Sequence, residues 1–212
     1  MAKVKNILGA VTVLFLLVGL PAISYWYLKT GYDYRKEAIL TQGDFGKMPD
    51  LSGLPALRGE LPTSLRGSMT VVGWLDPSKP ATAQQYGTML DSLYVQFSDS
   101  PNLHFTTITK ASDGHGAVAE FTDRHNLPAD PMVSFLAADE TTFAKTARDL
   151  SVPAGVHPGE SPLVALVDSS LTIVKHYDLS KREETIGLVQ LISLIIPLPE
   201  RKDIIVNRTQ EL

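Results

Sequence analysis

Apolar and polar positions along this chain change texture several times. From Ile7 to Leu28 the sequence ILGAVTVLFLLVGLPAISYWYL carries no charge, close to the roughly 20 residues that a membrane-spanning helix requires. Lys3 and Lys5 precede it, and Tyr25, Trp26 and Tyr27 close it. The positive-inside rule and the aromatic belt therefore agree on a cytoplasmic amino terminus, with Lys29, Arg35 and Lys36 weakening that vote without reversing it. Pro21 is expected to kink the helix in its outer half. The competing reading is a cleaved signal peptide with Ala22-Ile23-Ser24 as the cleavage motif, which the bulky Tyr25-Trp26-Tyr27 suits badly.

Beyond Gly31 the texture turns polar and broken. Gly43, Gly46, Pro49, Gly53, Pro55, Gly59 and Pro62 punctuate a stretch that predicts a tether with short edge strands at Met48–Leu51 and Gly59–Leu61. An apolar run then predicts a buried strand over Thr70–Leu75, which breaks at Asp76-Pro77 and leads into a helix over Ala81–Phe97. Tyr86, Met89, Leu90, Leu93, Tyr94 and Phe97 recur there at three- and four-residue steps, the spacing of a core-facing stripe. The alternating segment LHFTTIT predicts a strand over Leu103–Thr109, followed by a helix over Ala117–Asn126 carrying Val118, Phe121 and His125. A strand over Met132–Leu136 and a helix over Glu140–Leu150 follow. Pro162–Asp168 and Leu171–Tyr177 predict a hairpin across Ser169-Ser170, and the last helix covers Lys181–Ile195 with Ser180 and Glu183 at capping-box spacing. The tail ERKDIIVNRTQEL is charged around Ile204-Ile205-Val206, readable as a strand added to a neighbour or as a frayed terminus.

The resulting order, strand-helix three times and then strand, strand, helix, requires crossovers and a mostly parallel sheet closed by an antiparallel pair. That is a thioredoxin-like α/β arrangement with one inserted helix. The expected organisation is a transmembrane anchor at residues 1–30, a tether with edge strands at 31–62, a thioredoxin-like domain at 63–197 and a carboxyl tail at 198–212. A strand feeding a helix puts its loop at the carboxyl edge of the sheet, where α/β proteins keep their chemistry. Here that loop is Asp76-Pro77-Ser78-Lys79-Pro80.

Composition removes several chemistries. The chain has no cysteine, so disulfides, thiol redox reactions and thiolate metal sites are excluded together. A net charge of -4 without any basic run argues against nucleic acid. No phosphate loop and no Gly-x-Ser-x-Gly nucleophile elbow occur, so an enzyme, a peroxiredoxin-like one included, lacks a nucleophile.

Several segments in order resemble the Sco/SenC family of membrane-anchored, thioredoxin-fold copper chaperones that serve cytochrome oxidase assembly. The membrane exit is similar at Leu28-Lys29-Thr30-Gly31, the domain opening at Met48-Pro49-Asp50-Leu51-Ser52-Gly53, and the central strand at Leu65-Arg66-Gly67 through Leu75. The hairpin is similar at Leu163-Val164-Ala165-Leu166-Val167-Asp168, continuing to His176-Tyr177-Asp178. The resemblance implies copper bound by two cysteines of a Cys-Pro-x-x-Cys-Pro motif and a histidine just before the hairpin. The first cysteine position falls on Asp76 and the second about on Pro80. The histidine position falls near Glu160 or Ser161, with His157 a few residues short of it. Copper(I) prefers sulfur ligands, so copper transfer and disulfide exchange are both expected to be absent, and no cofactor is expected.

The five histidines, His104, His115, His125, His157 and His176, show no helical metal spacing. The loop Lys110–Gly116 lies on the same predicted sheet edge as Asp76, so Asp76, Asp113, His115 and His157 are the candidate ligands for a divalent cation or an acid–base pair. The favoured expectation is a non-catalytic accessory or assembly subunit of a membrane complex, respiratory and oxidase-type by the resemblance. Its domain would face the periplasm, its partners would be integral membrane subunits and the bilayer, and no small-molecule substrate is expected. The alternative is a periplasmic metal-binding or metal-delivery protein using the Asp and His ligands.

Overall fold

The computed structural model describes residues 11–40, 42–110 and 114–196. Lys3, Lys5, Asp113 and the tail from residue 197 onward lie outside the described residues. The chain divides into two compact units, Met1–Gln42 and Gly43–Leu212.

The first unit is helical. A π-helical turn, Phe15–Gly19, leads into helix α1, Leu20–Leu40. The stretch Val11–Asp33 is, among the described residues, the one helix long and apolar enough to cross a membrane. Its Leu16, Leu17, Val18, Tyr25, Trp26 and Tyr27 are all exposed. Helix continues to Leu40 where the sequence had predicted a tether from Gly31. One helical glycine costs about 1 kcal/mol, and the helix-forming Arg35, Lys36, Glu37 and Ala38 that follow outweigh it.

The second unit holds a six-stranded sheet of order β1-β4-β3-β2-β5-β6, formed by β1 (Ala56–Arg58), β2 (Met69–Leu75), β3 (Leu103–Lys110), β4 (Val133–Ala138), β5 (Leu163–Val167) and β6 (Ile173–Asp178). Helices α2 (Pro80–Phe97), α3 (Gly114–Arg124), α4 (Glu140–Asp149) and α5 (Arg182–Ile195) complete the domain. Strands β2, β3 and β4 run parallel, while β5 pairs antiparallel with β2 and β6 antiparallel with β5.

All seven residues of β2 are buried, as a central strand covered on both faces demands. Val72 and Trp74 face one core with Ile108, Leu136, Phe143 and Leu150, and the Trp74 indole donates to Thr146 Oγ1 at 3.2 Å. On the other side Tyr86 of α2 stacks on Phe121 of α3 at 6.3 Å, and Phe121 meets Phe135 edge-on at 5.9 Å. Gly73 is required at that contact, because a Cβ there would stand 2.2 Å from the Tyr86 hydroxyl.

The central elements agree with the sequence expectation to within a few residues, and the departures have local causes. No strand forms at Met48–Leu51 or Gly59–Leu61; the edge strand is Ala56–Arg58, antiparallel to β4. The Asp50 carboxylate instead takes the Ser52 amide at 2.9 Å and the Leu54 amide bonds Leu51 O at 3.0 Å, which turns the chain. Gly59 ends β1 at φ +68°. Strand β6 starts at Ile173 because Leu171 occupies the hairpin turn at φ +65°, and Asn126 at φ +52° closes the end of α3. The predicted capping box at Ser180 does not form. The Ser180 hydroxyl donates to Asp178 Oδ1 at 2.6 Å, and Glu184 rather than Glu183 reaches back, accepting the Asp178 amide at 2.6 Å.

Candidate functional site

The loop between β2 and α2 is a hydrogen-bonded turn built around Asp76. Pro77 presets the turn's first central residue, and the Lys79 amide closes it on Asp76 O at 3.0 Å. Asp76 is 8% exposed. Its Oδ1 accepts from the Ser78 amide at 2.9 Å and from the Ser78 hydroxyl at 2.6 Å. Its Oδ2 faces the Lys110 ammonium at 3.5 Å, and that ammonium also pairs with Glu140 of α4. Pro80 takes the first position of α2, where its missing N–H costs nothing.

A second loop seals the turn. Gly159 holds φ +80°, and a Cβ there would come 2.8 Å from the Asp76 Cβ. The Thr82 hydroxyl donates to Glu160 O at 3.1 Å, tying this loop to the first turn of α2. Three segments separate in sequence therefore converge on one carboxylate.

The electrostatics move both ionisable groups away from neutrality. Burial, the largest single influence on Asp76, opposes its ionisation. The Ser78 hydroxyl and amide together with Lys110 outweigh it and hold the carboxyl below its ordinary value of 3.8. The Glu140 hydrogen bond and, after it, the Asp76 charge raise Lys110 above its ordinary value of 10.5. A general acid or base works best with a pKa near the operating pH, and neither group is tuned that way.

The other sequence candidates fall on separate elements or outside the described residues. His157 is exposed, its carbonyl accepting the Glu160 amide at 3.1 Å in a surface turn. His115 belongs to the first turn of α3, and Asp113 lies outside the described residues. Among the described residues no group of three or more His, Asp or Glu side chains is placed to hold a metal ion. The copper that the family resemblance implies does not fit the residues present: Asp76 is engaged by Ser78 and Lys110, Pro80 offers no donor, and His157 stands in the surface turn. His176 Nε2 lies 2.8 Å from Leu150 O with Phe45 edge-on at 5.2 Å, and His125 packs on Phe121 at 4.8 Å. Sequence reasoning missed the part played by Lys110, Glu140 and Gly159. The parallel register of β2 with β3, which pairs Leu75 with Thr109, puts Lys110 opposite Asp76, and that register was the available signal.

No protein-family model matches the chain, and no curated protein matches it in sequence. Solved structures do match in fold. A candidate protein disulfide isomerase from Bacteroides thetaiotaomicron superposes with a TM-score of 0.57 at 15% identity, covering 73% of this chain and 91% of that one. BsSco, a member of the Sco family of cytochrome c oxidase assembly proteins, superposes with a TM-score of 0.55 at 14% identity, covering 70% and 92%. The thioredoxin domain of a thiol-disulfide oxidoreductase from Bacteroides vulgatus gives 0.52 at 10% identity, covering 73% and 98%. The domain has the thioredoxin-like fold. At these identities the likeness is one of fold alone.

Proposed function

We propose that this chain is a non-catalytic, membrane-anchored accessory or assembly subunit of a membrane complex, one of respiratory, oxidase type. The amino terminus lies in the cytoplasm and the thioredoxin-like domain in the periplasm, held there by the apolar helix. The observation that carries the reading is the closed turn at Asp76. Where thiol chemistry would sit in this fold, the chain places a carboxylate used up by Ser78 and Lys110 and sealed by Gly159. With no cysteine in the chain, such an edge serves as surface. The oxidase assignment draws on the Sco-type sequence segments and on the fold shared with BsSco, described as a member of a cytochrome c oxidase assembly family.

The test is mild detergent extraction of the native membrane, recovery through this chain, and identification of the co-purifying subunits with bound metal assayed in the same sample. Stoichiometric recovery of oxidase or quinol-oxidising subunits, without metal on this chain, is the expected result. Recovery of the chain alone, or carrying copper or another metal, overturns the reading and returns attention to Asp76 and His157.

A further inference from the structure

The apolar helix contains an interruption, a π-helical turn followed within two residues by proline. In a regular α-helix the amide of residue i bonds the carbonyl of residue i−4, so Leu16 O expects the Leu20 amide and Leu17 O expects the amide of residue 21. The Leu20 amide instead bonds Phe15 O, closing the π-helical turn Phe15–Gly19. Residue 21 is proline, which has no N–H. Two successive carbonyls thus lose their regular donors within the candidate span Val11–Asp33.

Side chains of the same helix do not supply replacements. A serine or threonine returns its hydroxyl to the carbonyl three or four residues back, which for Leu16 and Leu17 means positions 19 to 21. Those positions are Gly19, Leu20 and Pro21. Ser24 reaches back only to residues 20 and 21. In hydrocarbon an unmet carbonyl costs several kcal/mol, and proline interruptions in membrane helices persist where neighbouring helices, hydroxyl side chains, water or local π adjustments satisfy the freed groups. In the π register that Leu20 and Phe15 adopt, Leu17 O has the amide of residue 22 within reach, whereas Leu16 O has no donor four residues on, where the Leu20 amide is taken, or five residues on, where Pro21 stands.

We infer that Leu16 O marks the face on which α1 and its leading π-turn receive a transmembrane helix of another subunit, one that presents a hydroxyl or carboxamide side chain at that depth. This rests on the proposed membrane-spanning reading and adds to it where the partner sits and by what chemistry. A second copy of this chain fits poorly. In a parallel pair the nearest hydroxyl on the partner, from Thr12, lies four residues away, about 6 Å along the axis. The face runs through Val13, Leu16, Leu17, Leu20 and Ser24, whereas Phe15 covers the Gly19 side, its ring 2.7 Å from where a Gly19 Cβ would stand.

The experiment places a photo-crosslinking benzophenone side chain, one position at a time, at residues 13, 16, 17, 20 and 24 and at the opposite residues 15, 18, 22 and 25 of the full chain in native membranes. Each position is repeated with Pro21→Ala, which restores the amide to Leu17 O and permits a regular ladder. Adducts to one distinct polypeptide confined to the first set, with a yield that Pro21→Ala lowers about three- to tenfold, are expected. Adducts to lipid only, to a second copy of this chain, or equally around the helix overturn the inference, and so does a yield indifferent to Pro21→Ala. Release of the chain by alkaline carbonate, or removal of its first residues in the mature protein, would instead defeat the spanning reading beneath it.

Discussion

Asp76 can be weighed by substitution. If its carboxylate is there to hold the turn, removing it must cost stability. Two hydrogen bonds at 2.9 and 2.6 Å to a charged acceptor contribute about 1.5–3 kcal/mol each before the penalty of burying the charge is set against them. The contact with Lys110, whose side chain is 32% exposed, adds at most about 1 kcal/mol. Asp76→Ala is expected to cost about 2–3 kcal/mol net and to lower the midpoint of thermal unfolding by roughly 4–12 °C for a domain of this size. Asp76→Asn keeps an acceptor for Ser78, loses only the charge, and is expected to cost about 1 kcal/mol. The pH dependence follows from the lowered carboxyl. Its contribution is present above the ordinary value of 3.8 and is lost as pH falls through the lower folded value. Urea titrations of the detergent-solubilised chain at several pH values measure all three quantities. An Asp76→Ala protein as stable as the parent, or more stable, with an unchanged acid limb, would refute the structural role. It would mark Asp76 as a group kept for function at a cost in stability.

Gly159→Ala forces a Cβ into a left-handed residue and against Asp76, and is expected to destabilise by about 2–4 kcal/mol; a shift below 1 kcal/mol in chemical denaturation would contradict the seal. Asp139 caps α4 by accepting the Thr142 amide at 2.7 Å, so Asp139→Ala should lower the thermal midpoint measurably. Ser180→Ala should lose less, because Ser180 caps no amide of α5, and equal losses would reinstate the capping box. Burial lowers the pKa of His104, His125 and His176 from 6.5. Their neutral forms stabilise the fold fully above pH 6.5, and that contribution shrinks as pH falls below it. Thermal midpoints should therefore drop between pH 7 and pH 5, and His125→Gln should remove part of the drop; a flat profile would show these rings to be solvated.

The sequence made legible what depends on runs and periods. Strand β2 announces itself because every one of its residues is buried, and α2 because Tyr86, Leu90, Leu93 and Phe97 share one face and are buried. Strand β1 escaped because three residues on a sheet edge carry no period, and their pairing with β4 is decided by the partner. The turn at Asp76-Pro77 was readable from its residue types. Its closure was not, because Lys110, Glu140 and Gly159 lie 34, 64 and 83 residues away along the chain, and only the sheet register and a left-handed glycine bring them together.

That closure also predicts how a thiol introduced at residue 76 would behave. In thioredoxin-type sites a lysine or arginine near the cysteine lowers its pKa from about 8.5 and makes it nucleophilic. Lys110 stands in the right place for this but is paired with Glu140, so its charge is largely spent, while burial at residue 76 pushes a thiol upward. An Asp76→Cys chain should therefore carry a thiol that titrates at or above about 8.5 and alkylates slowly at neutral pH. Adding Glu140→Gln frees Lys110, which should lower the thiol pKa by about one unit and speed alkylation at pH 7 several-fold. The rate of iodoacetamide modification against pH, in a chain whose only thiol is the one introduced, reads this directly. A fast, low-pKa thiol in Asp76→Cys alone would mean that the fold activates this position without help from its neighbours. It would also mean that the Lys110–Glu140 pair is incidental to the reactivity of this position.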